Sequence, residues 1–235
     1  STGNLQTTIN WTAPHLRYQP LTIGGMEPAL SYGNMVLQTI LGPPFKWPWN
    51  RAVATFTCAA AFPTQDYATI VADFGFIESA IVTDPGTGKH IELSVKSSLQ
   101  RDASQSRPAH IAAQIDNNAG VITFRLSPSP DKNYIVDVTY QRAAPPLTSM
   151  ASLWSPIPDK LLYIPNWGFM AMASLLTNDV RAIQFNQRFM AHLIGAQGGL
   201  DELERNIFLA NWLQVTAATQ TSQLGVQQRM AARQQ

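Results

Sequence analysis

The chain has 235 residues, with 16 Lys or Arg against 15 Asp or Glu and a formal net charge of +1. Charged residues make up 13% of it and hydrophobic residues 45%; globular chains usually carry about 25% charged residues. This excludes disorder, which needs low hydrophobicity with high charge, and disfavours a free nucleic-acid binder, which needs a cationic surplus.

The missing charge is replaced by neutral polar residues, notably Gln and Asn. Such a surface suits a protein packed among other subunits. The length predicts one or two domains and a core that needs no staples. The single cysteine, Cys58, sits in Thr57-Cys58-Ala59-Ala60-Ala61 and reads as a small buried apolar residue. Folding without oxidation fits synthesis in the cytoplasm. No run approaches the roughly 20 apolar residues of a membrane span. No basic stretch precedes an apolar one in Ser1–Gln6, so neither a membrane anchor nor a signal peptide is expected.

In chain order, residues 1–25 are polar and broken by Pro14, Pro20, Gly24 and Gly25, with Ile9, Trp11, Leu16, Tyr18 and Leu21 as scattered apolar anchors. They read as an extended arm, docked on its own core or on a neighbour. A first helix is expected over 28–41, with Pro28 at its first position and Leu30, Asn34, Leu37 and Leu41 on one face. Gly42-Pro43-Pro44 ends it. Phe45-Lys46-Trp47-Pro48-Trp49-Asn50 follows, and its aromatics Phe45, Trp47 and Trp49 read as a wedge of the first helix onto a sheet.

Strand composition marks 51–58, 66–72, 76–83, 90–97, 109–115, 120–127 and 133–141. The clearest alternation sets Tyr134, Val136, Val138 and Tyr140 against Ile135, Asp137, Thr139 and Gln141. Short connections predict an antiparallel sheet or sandwich, with a hairpin joining 121–126 to 134–141 through Ser127–Lys132. After Pro158 the pattern is helical. A second helix is expected over 159–176, broken or kinked by Pro165. A third is expected to start at the cap cluster Thr177-Asn178-Asp179, and a fourth at Asp201, with Glu204 closing a capping box. Beyond Gln214 the composition shifts: the last 22 residues hold seven Gln, two Arg and no acid. The expected organisation is α+β. It comprises the arm (1–25), the first helix with an antiparallel β domain (26–157), a C-terminal bundle of three helices (158–213) and a Gln-rich tail (214–235).

Catalysis needs ionisable groups at workable spacing. His15, His90, His110 and His192 form no close-spaced ligand pair, and one cysteine excludes Cys-rich zinc sites. Asp84-Pro85-Gly86-Thr87-Gly88-Lys89 fails the phosphate-loop spacing, since Thr83 and His90 stand where Gly and Ser or Thr are needed, so it reads as a hairpin turn. Asp201, Glu202 and Glu204 read as capping and dipole-complementing acids. No catalytic residue, cofactor or metal is expected.

The ordered series of short motifs is more specific than any one of them. It runs from Trp47-Pro48-Trp49-Asn50 through Asp66-Tyr67, Asp73–Glu78 and Arg107-Pro108 to Val121–Asp131. It continues through Val138–Arg142, Ala144-Pro145-Pro146-Leu147 and Ile157-Pro158-Asp159 to Leu176–Arg181. Over about residues 28–213 it resembles the head-to-tail connector (adaptor) proteins of tailed bacteriophages. The long arm, the Gln-rich tail and Pro165 depart from that pattern.

The resemblance implies a virion neck protein, made in the host cytoplasm. It would form a homo-oligomeric ring, twelve-fold, seated below the portal and above tail or stopper proteins. DNA would pass through the lumen without sequence-specific binding. The tail is expected to insert into a groove on the portal, through Gln214, Gln220, Gln223, Leu224, Gln227, Gln228, Arg229, Met230 and Arg233, with the sheet toward the tail side. Two alternatives stay open: a tail terminator, stopper or other tail ring component, which would be dominated by sheet, and a small-ligand- or carbohydrate-binding module or enzyme, which would show a convergent ionisable pocket.

Overall fold

A computed structural model describes residues 2–16, 27–60, 65–101, 104–115, 121–176 and 179–196, with single helical positions at 203, 206, 207 and 210. It is an α+β fold with two cores, one between helices and one inside a curled sheet.

The stretch expected as an extended arm opens with a helix, α1 (Leu5–Thr12). Asn4 and Thr7 form a reciprocal capping box there, a signal of three-residue spacing that outweighs the low hydrophobicity. The helix docks on its own chain: Leu5 N–H donates to the Ser152 carbonyl at 3.1 Å and Trp154 N–H to that of Gly3 at 3.1 Å. The Trp154 indole donates to Thr8 Oγ1 at 2.8 Å, and that hydroxyl donates to Asn166 Oδ1 at 2.7 Å. Residues 17–26 lie outside the described residues.

Helix α2 (Ala29–Leu41) has Pro28 as its N-cap rather than at its first turn. Its buried face is Gly33, Val36, Leu37, Ile40 and Leu41. Leu30 and Asn34 are half-buried instead, and Asn34 exchanges hydrogen bonds with the Leu147 backbone (2.7 and 3.1 Å).

Seven strands follow: β1 (Arg51–Cys58), β2 (Asp66–Ile70), β3 (Phe74–Asp84), β4 (Lys89–Val95), β5 (His110–Ile115), β6 (Val121–Ser127) and β7 (Tyr134–Arg142). Their spatial order is β1-β7-β3-β4-β5-β6-β2. The sheet curls so that its ends meet across the core, with Phe56 of β1 stacked on Phe124 of β6 at 5.3 Å and near Tyr67 of β2 at 6.0 Å.

Two expectations fail here. The β6–β7 hairpin does not form: β6 pairs with β5 and β2, and β7 with β1 and β3. Pro128 and Pro130 bring no N–H to a ladder, and the backbone of Ser129 between them is taken by Ser104 (3.1 Å) and Ser106 (2.9 Å). Nor is the sheet wholly antiparallel, because β4 and β5 pair in parallel through Ser94↔His110 and Val95↔Ile111. The connection over 96–109 has the dozen or so residues that a parallel crossover requires.

Residues 159–176 divide into a 3-10 turn (Asp159–Leu161) and α3 (Tyr163–Leu176). Pro165 falls in the first turn of α3, where its missing N–H breaks no helical bond. Helix α4 (Ala182–Gly195) starts later than expected, with Arg181 at its cap and no side-chain cap bond. Asp179 instead accepts from the Arg181 N–H at 2.9 Å and from its guanidinium. Thr177 and Asn178 lie outside the described residues, as does most of the expected fourth helix, including Asp201, Glu202 and Glu204.

The helices do not segregate at the C-terminal side. Leu5, Ile9, Val36, Leu37 and Ile40 share one core with Trp154, Phe169, Phe189 and Leu193. Gly168 lets α3 approach closely: a Cβ there would stand 2.6 Å from Val36 Cγ1 and 2.8 Å from Phe189 Cε2. The sheet is thus inserted into a helical layer built from both flanks of the chain.

Candidate functional site

Phe45, Trp47 and Trp49 sit where the helical layer meets the sheet. Phe45 and Trp47 are buried in the helical core, and Trp49 packs against it. The rings stack in series, Phe45 on Trp47 at 6.2 Å and Trp47 on Trp49 at 5.1 Å. The Trp47 indole donates to the Ile40 carbonyl at 2.7 Å, which fixes the loop to the end of α2.

The link to the sheet is polar and runs through Gln141 of β7, which is fully buried. Its Oε1 accepts from Trp47 N–H at 3.1 Å, and its Nε2 donates to the Trp47 carbonyl at 3.2 Å and to Glu78 Oε2 at 2.7 Å. Glu78 also accepts from Arg51 Nε at 2.7 Å. Burial pushes the Glu78 carboxyl up, but the Arg51 and Gln141 hydrogen bonds outweigh it and hold the carboxyl below its usual range. Sequence reading missed Gln141, because one outward-pattern Gln in an alternating strand carries no signal of the loop it meets.

Other charges are also matched within the chain. Arg125 holds Asp66 in two bonds (2.7 and 2.9 Å) and lowers its pKa, with Arg101 assisting. Arg142 pairs with Asp73, Lys132 with Asp84, and Arg181 with Asp179. Asp84–Lys89 forms the β3–β4 turn, closed by Gly88 N–H on the Asp84 carbonyl at 2.7 Å, with Gly88 at a φ of 66°. Burial pushes the Cys58 thiol up and the Tyr140 phenol up to about 12, the latter also through its bond to Asp73. Of these pairs, all but Arg181–Asp179 at the start of α4 fasten strands or the turns between them.

A cleft of about 450 Å³ opens where β3 and β4 diverge, lined mainly by Phe74, Phe76, Ile77, Val95 and Ala113, with Lys96 its one ionisable residue. Among the described residues no group of three or more His, Cys, Asp or Glu could hold a metal ion, and no helix is long and apolar enough to cross a membrane.

The outer face of the β1-β7-β3-β4 part of the sheet is rich in hydroxyls. Registered rows run Thr57–Ile135–Thr83–His90 and Thr55–Asp137–Ile81–Glu92. Thr55 Oγ1 donates to Asp137 at 2.6 Å, and Thr83 Oγ1 bonds His90 Nδ1 at 2.8 Å.

The helical layer carries a second surface that sequence reading missed. Trp11 meets Trp167 edge-on at 5.4 Å and His15 at 5.7 Å. Trp167 stacks on His192 at 5.9 Å, Tyr163 meets His192 at 5.2 Å, and Arg188 lies 5.2 Å over the Trp167 ring. Trp11 is 38% exposed and Tyr163 39%. The four-residue spacings Tyr163/Trp167 and Arg188/His192 were a visible signal, hidden because α3 reads as apolar all round.

The tail residues Gln214, Gln220, Gln223, Leu224, Gln227, Gln228, Arg229, Met230 and Arg233 lie outside the described residues. No curated protein matches the chain. A scan against protein families matches SU10 adaptor protein over residues 29–220, a range that takes in α2, the whole sheet, α3 and α4. The chain therefore belongs to the SU10 adaptor protein family of phage head-to-tail adaptors.

Proposed function

We propose that the chain is a structural subunit of the virion neck. In this reading, twelve copies form a ring beneath the portal, which extends the DNA channel and joins the capsid to tail or stopper proteins. The family match across both the helical layer and the sheet is the observation that carries it. The nearly even balance of 16 Lys or Arg against 15 Asp or Glu supports a wall that does not grip phosphate, since a phosphate-binding lumen would need a surplus of Lys and Arg. A layer of four helices among the described residues favours an adaptor over a sheet-dominated tail terminator.

The Gln-rich tail (214–235) is the portal-docking element, its amides meeting backbone partners and Arg229 and Arg233 meeting acids. Truncation after Leu213 is expected to weaken binding of the full chain's portal at least about tenfold, the loss of one good anchor. Electron microscopy of the full chain with its portal should show twelve subunits below it. A truncated chain that binds portal as well as the full one overturns the tail's role.

A further inference from the structure

We propose that the aromatic patch on the helical layer of one subunit mates with the outer sheet face of a second copy of the chain, centred on Ile81. The proposal rests on the ring reading above and names the surfaces that would meet.

The patch comprises Trp11, His15, Tyr163, Trp167, Arg188 and His192, joined ring to ring across α1, the turn after it, α3 and α4. Helices α1 to α4 contain no Asp or Glu, and Arg188 is their one Lys or Arg. The described acids that flank α3 and α4 in the chain are already engaged. Asp159 accepts from the Thr2 N–H at 2.6 Å, and Asp179 is tied to Arg181. The patch therefore offers aromatic area rimmed by a cation and two imidazoles, with no carboxylate of its own to answer them. Trp, Tyr and Arg are the residues that anchor the centres of protein interfaces, and Arg188 over Trp167 combines cation–π and donor roles.

The complement lies on the sheet. In the row Thr55–Asp137–Ile81–Glu92, Ile81 stands directly between two carboxylates. Ile81 is 41% exposed, and Val53, the neighbouring outward residue of β1, is 63% exposed. Asp137 accepts from the Thr55 hydroxyl and has no cation partner among the described residues, and Glu92 has neither hydrogen bond nor ion pair with any of them. The basic groups on this face are held elsewhere, Arg51 by Glu78 and His90 by Thr83. An apolar centre edged by two carboxylates matches an aromatic centre edged by Arg188, His15 and His192 in both character and sign. Each surface lacks its counter-charge within its own subunit, so the match is left for another copy. Two different surfaces mating from copy to copy make a heterologous interface, the kind that closes into a ring when its rotation allows.

The test is bismaleimide cross-linking between full-length chains, run on the chains alone and again with their portal. One chain carries Tyr163→Cys and the other Val53→Cys; Cys58 is buried and does not compete. Trp11→Cys serves as a second reporter should Tyr163→Cys fold poorly. Cross-linked pairs should form about tenfold above a control in which Ile70→Cys, exposed on edge strand β2, replaces Val53→Cys, because docking raises the effective concentration of the facing thiols. Arg188→Glu in the patch-bearing chain should remove that excess, and adding Glu92→Arg to the other should restore it, the signature of charge complementarity. Yields equal to the control with and without portal, or an excess that Arg188→Glu leaves intact, overturn the proposal. Electron microscopy of the unmodified chain on its portal then separates the two readings. A ring would leave the ring reading standing with other mating faces, and single subunits would remove the ring as well.

Discussion

Gly168 and Gly195 show how two residues of one type carry opposite consequences. At Gly168 the missing side chain is what lets α3 lie against Val36 of α2 and Phe189 of α4. Gly168→Ala should therefore overpack the helical core and cost about 1–3 kcal/mol. At Gly195, the last residue of α4, an added Cβ meets nothing within 4 Å. Gly195→Ala should stabilise by about 0.4–1 kcal/mol, chiefly by restricting the unfolded chain. Urea denaturation of the two variants reads both signs, and equal shifts would refute the packing account. Asn34 makes a similar point about the limits of pattern. It lies on a face that reads as core, but its amide pairs with the Leu147 backbone, and that partner is 113 residues away.

At the scale of elements, edge strand β2 is fastened to β6 by Asp66, which lies directly opposite Arg125 in the register. The guanidinium hydrogen bonds hold the Asp66 carboxyl below its ordinary range. A depressed carboxyl adds stability that is present above its unfolded pKa, near 3.9, and is lost as pH falls through the lower folded value. Asp66→Asn should cost about 1.5–3 kcal/mol at neutral pH, the worth of hydrogen bonds to a charged group. It should also flatten the fall of stability as the pH drops below about 4. Stability measured against pH in both proteins checks the sign. All seven strands were legible, because Val, Ile, Thr and Tyr alternate with period two and Gly, Pro or Asn separate the runs. Which strands pair was not. Tyr134–Arg142 and Val121–Ser127 look like a hairpin, but strand pairing depends on which faces share a core, and their inward residues meet across the curled sheet rather than side by side. Helix α1 was missed because its signal is a polar capping box, and the aromatic patch because a helix buried on most sides hides which rings stay outside. The tail lies outside the described residues.

The described residues hold two cores joined at a polar seam, where Gln141 ties Trp47 and Asn50 Nδ2 donates to the Arg142 carbonyl at 2.9 Å. All tryptophans of the described residues (Trp11, Trp47, Trp49, Trp154 and Trp167) lie outside the strands, whereas Tyr67, Tyr134 and Tyr140 lie within them. With Trp212, which lies outside the described residues, replaced by Phe, tryptophan fluorescence reports the helical layer, and far-ultraviolet dichroism near 215 nm is weighted toward the sheet. In that chain the two signals should fall together on denaturation, the mark of one cooperative unit. Gln141→Ala leaves the buried Trp47 N–H without its partner, at about 1–3 kcal/mol, and leaves the Trp47 carbonyl with the Asn50 N–H alone. The two transitions should then separate, with fluorescence changing first. Coincident transitions in that variant would show that packing, not Gln141, couples the halves.

The insertion of the sheet into the helical layer sets an order of events on the ribosome. The sheet is complete once Arg142 has emerged, but α1 and α2 find their partners only when Trp154, α3 and α4 follow. Such distant contacts form late, because the intervening chain must be closed first. Trp11, Tyr163, Trp167 and Arg188 therefore come together as a surface only after α4 has been translated. A chain whose α4 has not yet emerged has no such surface to offer a neighbour.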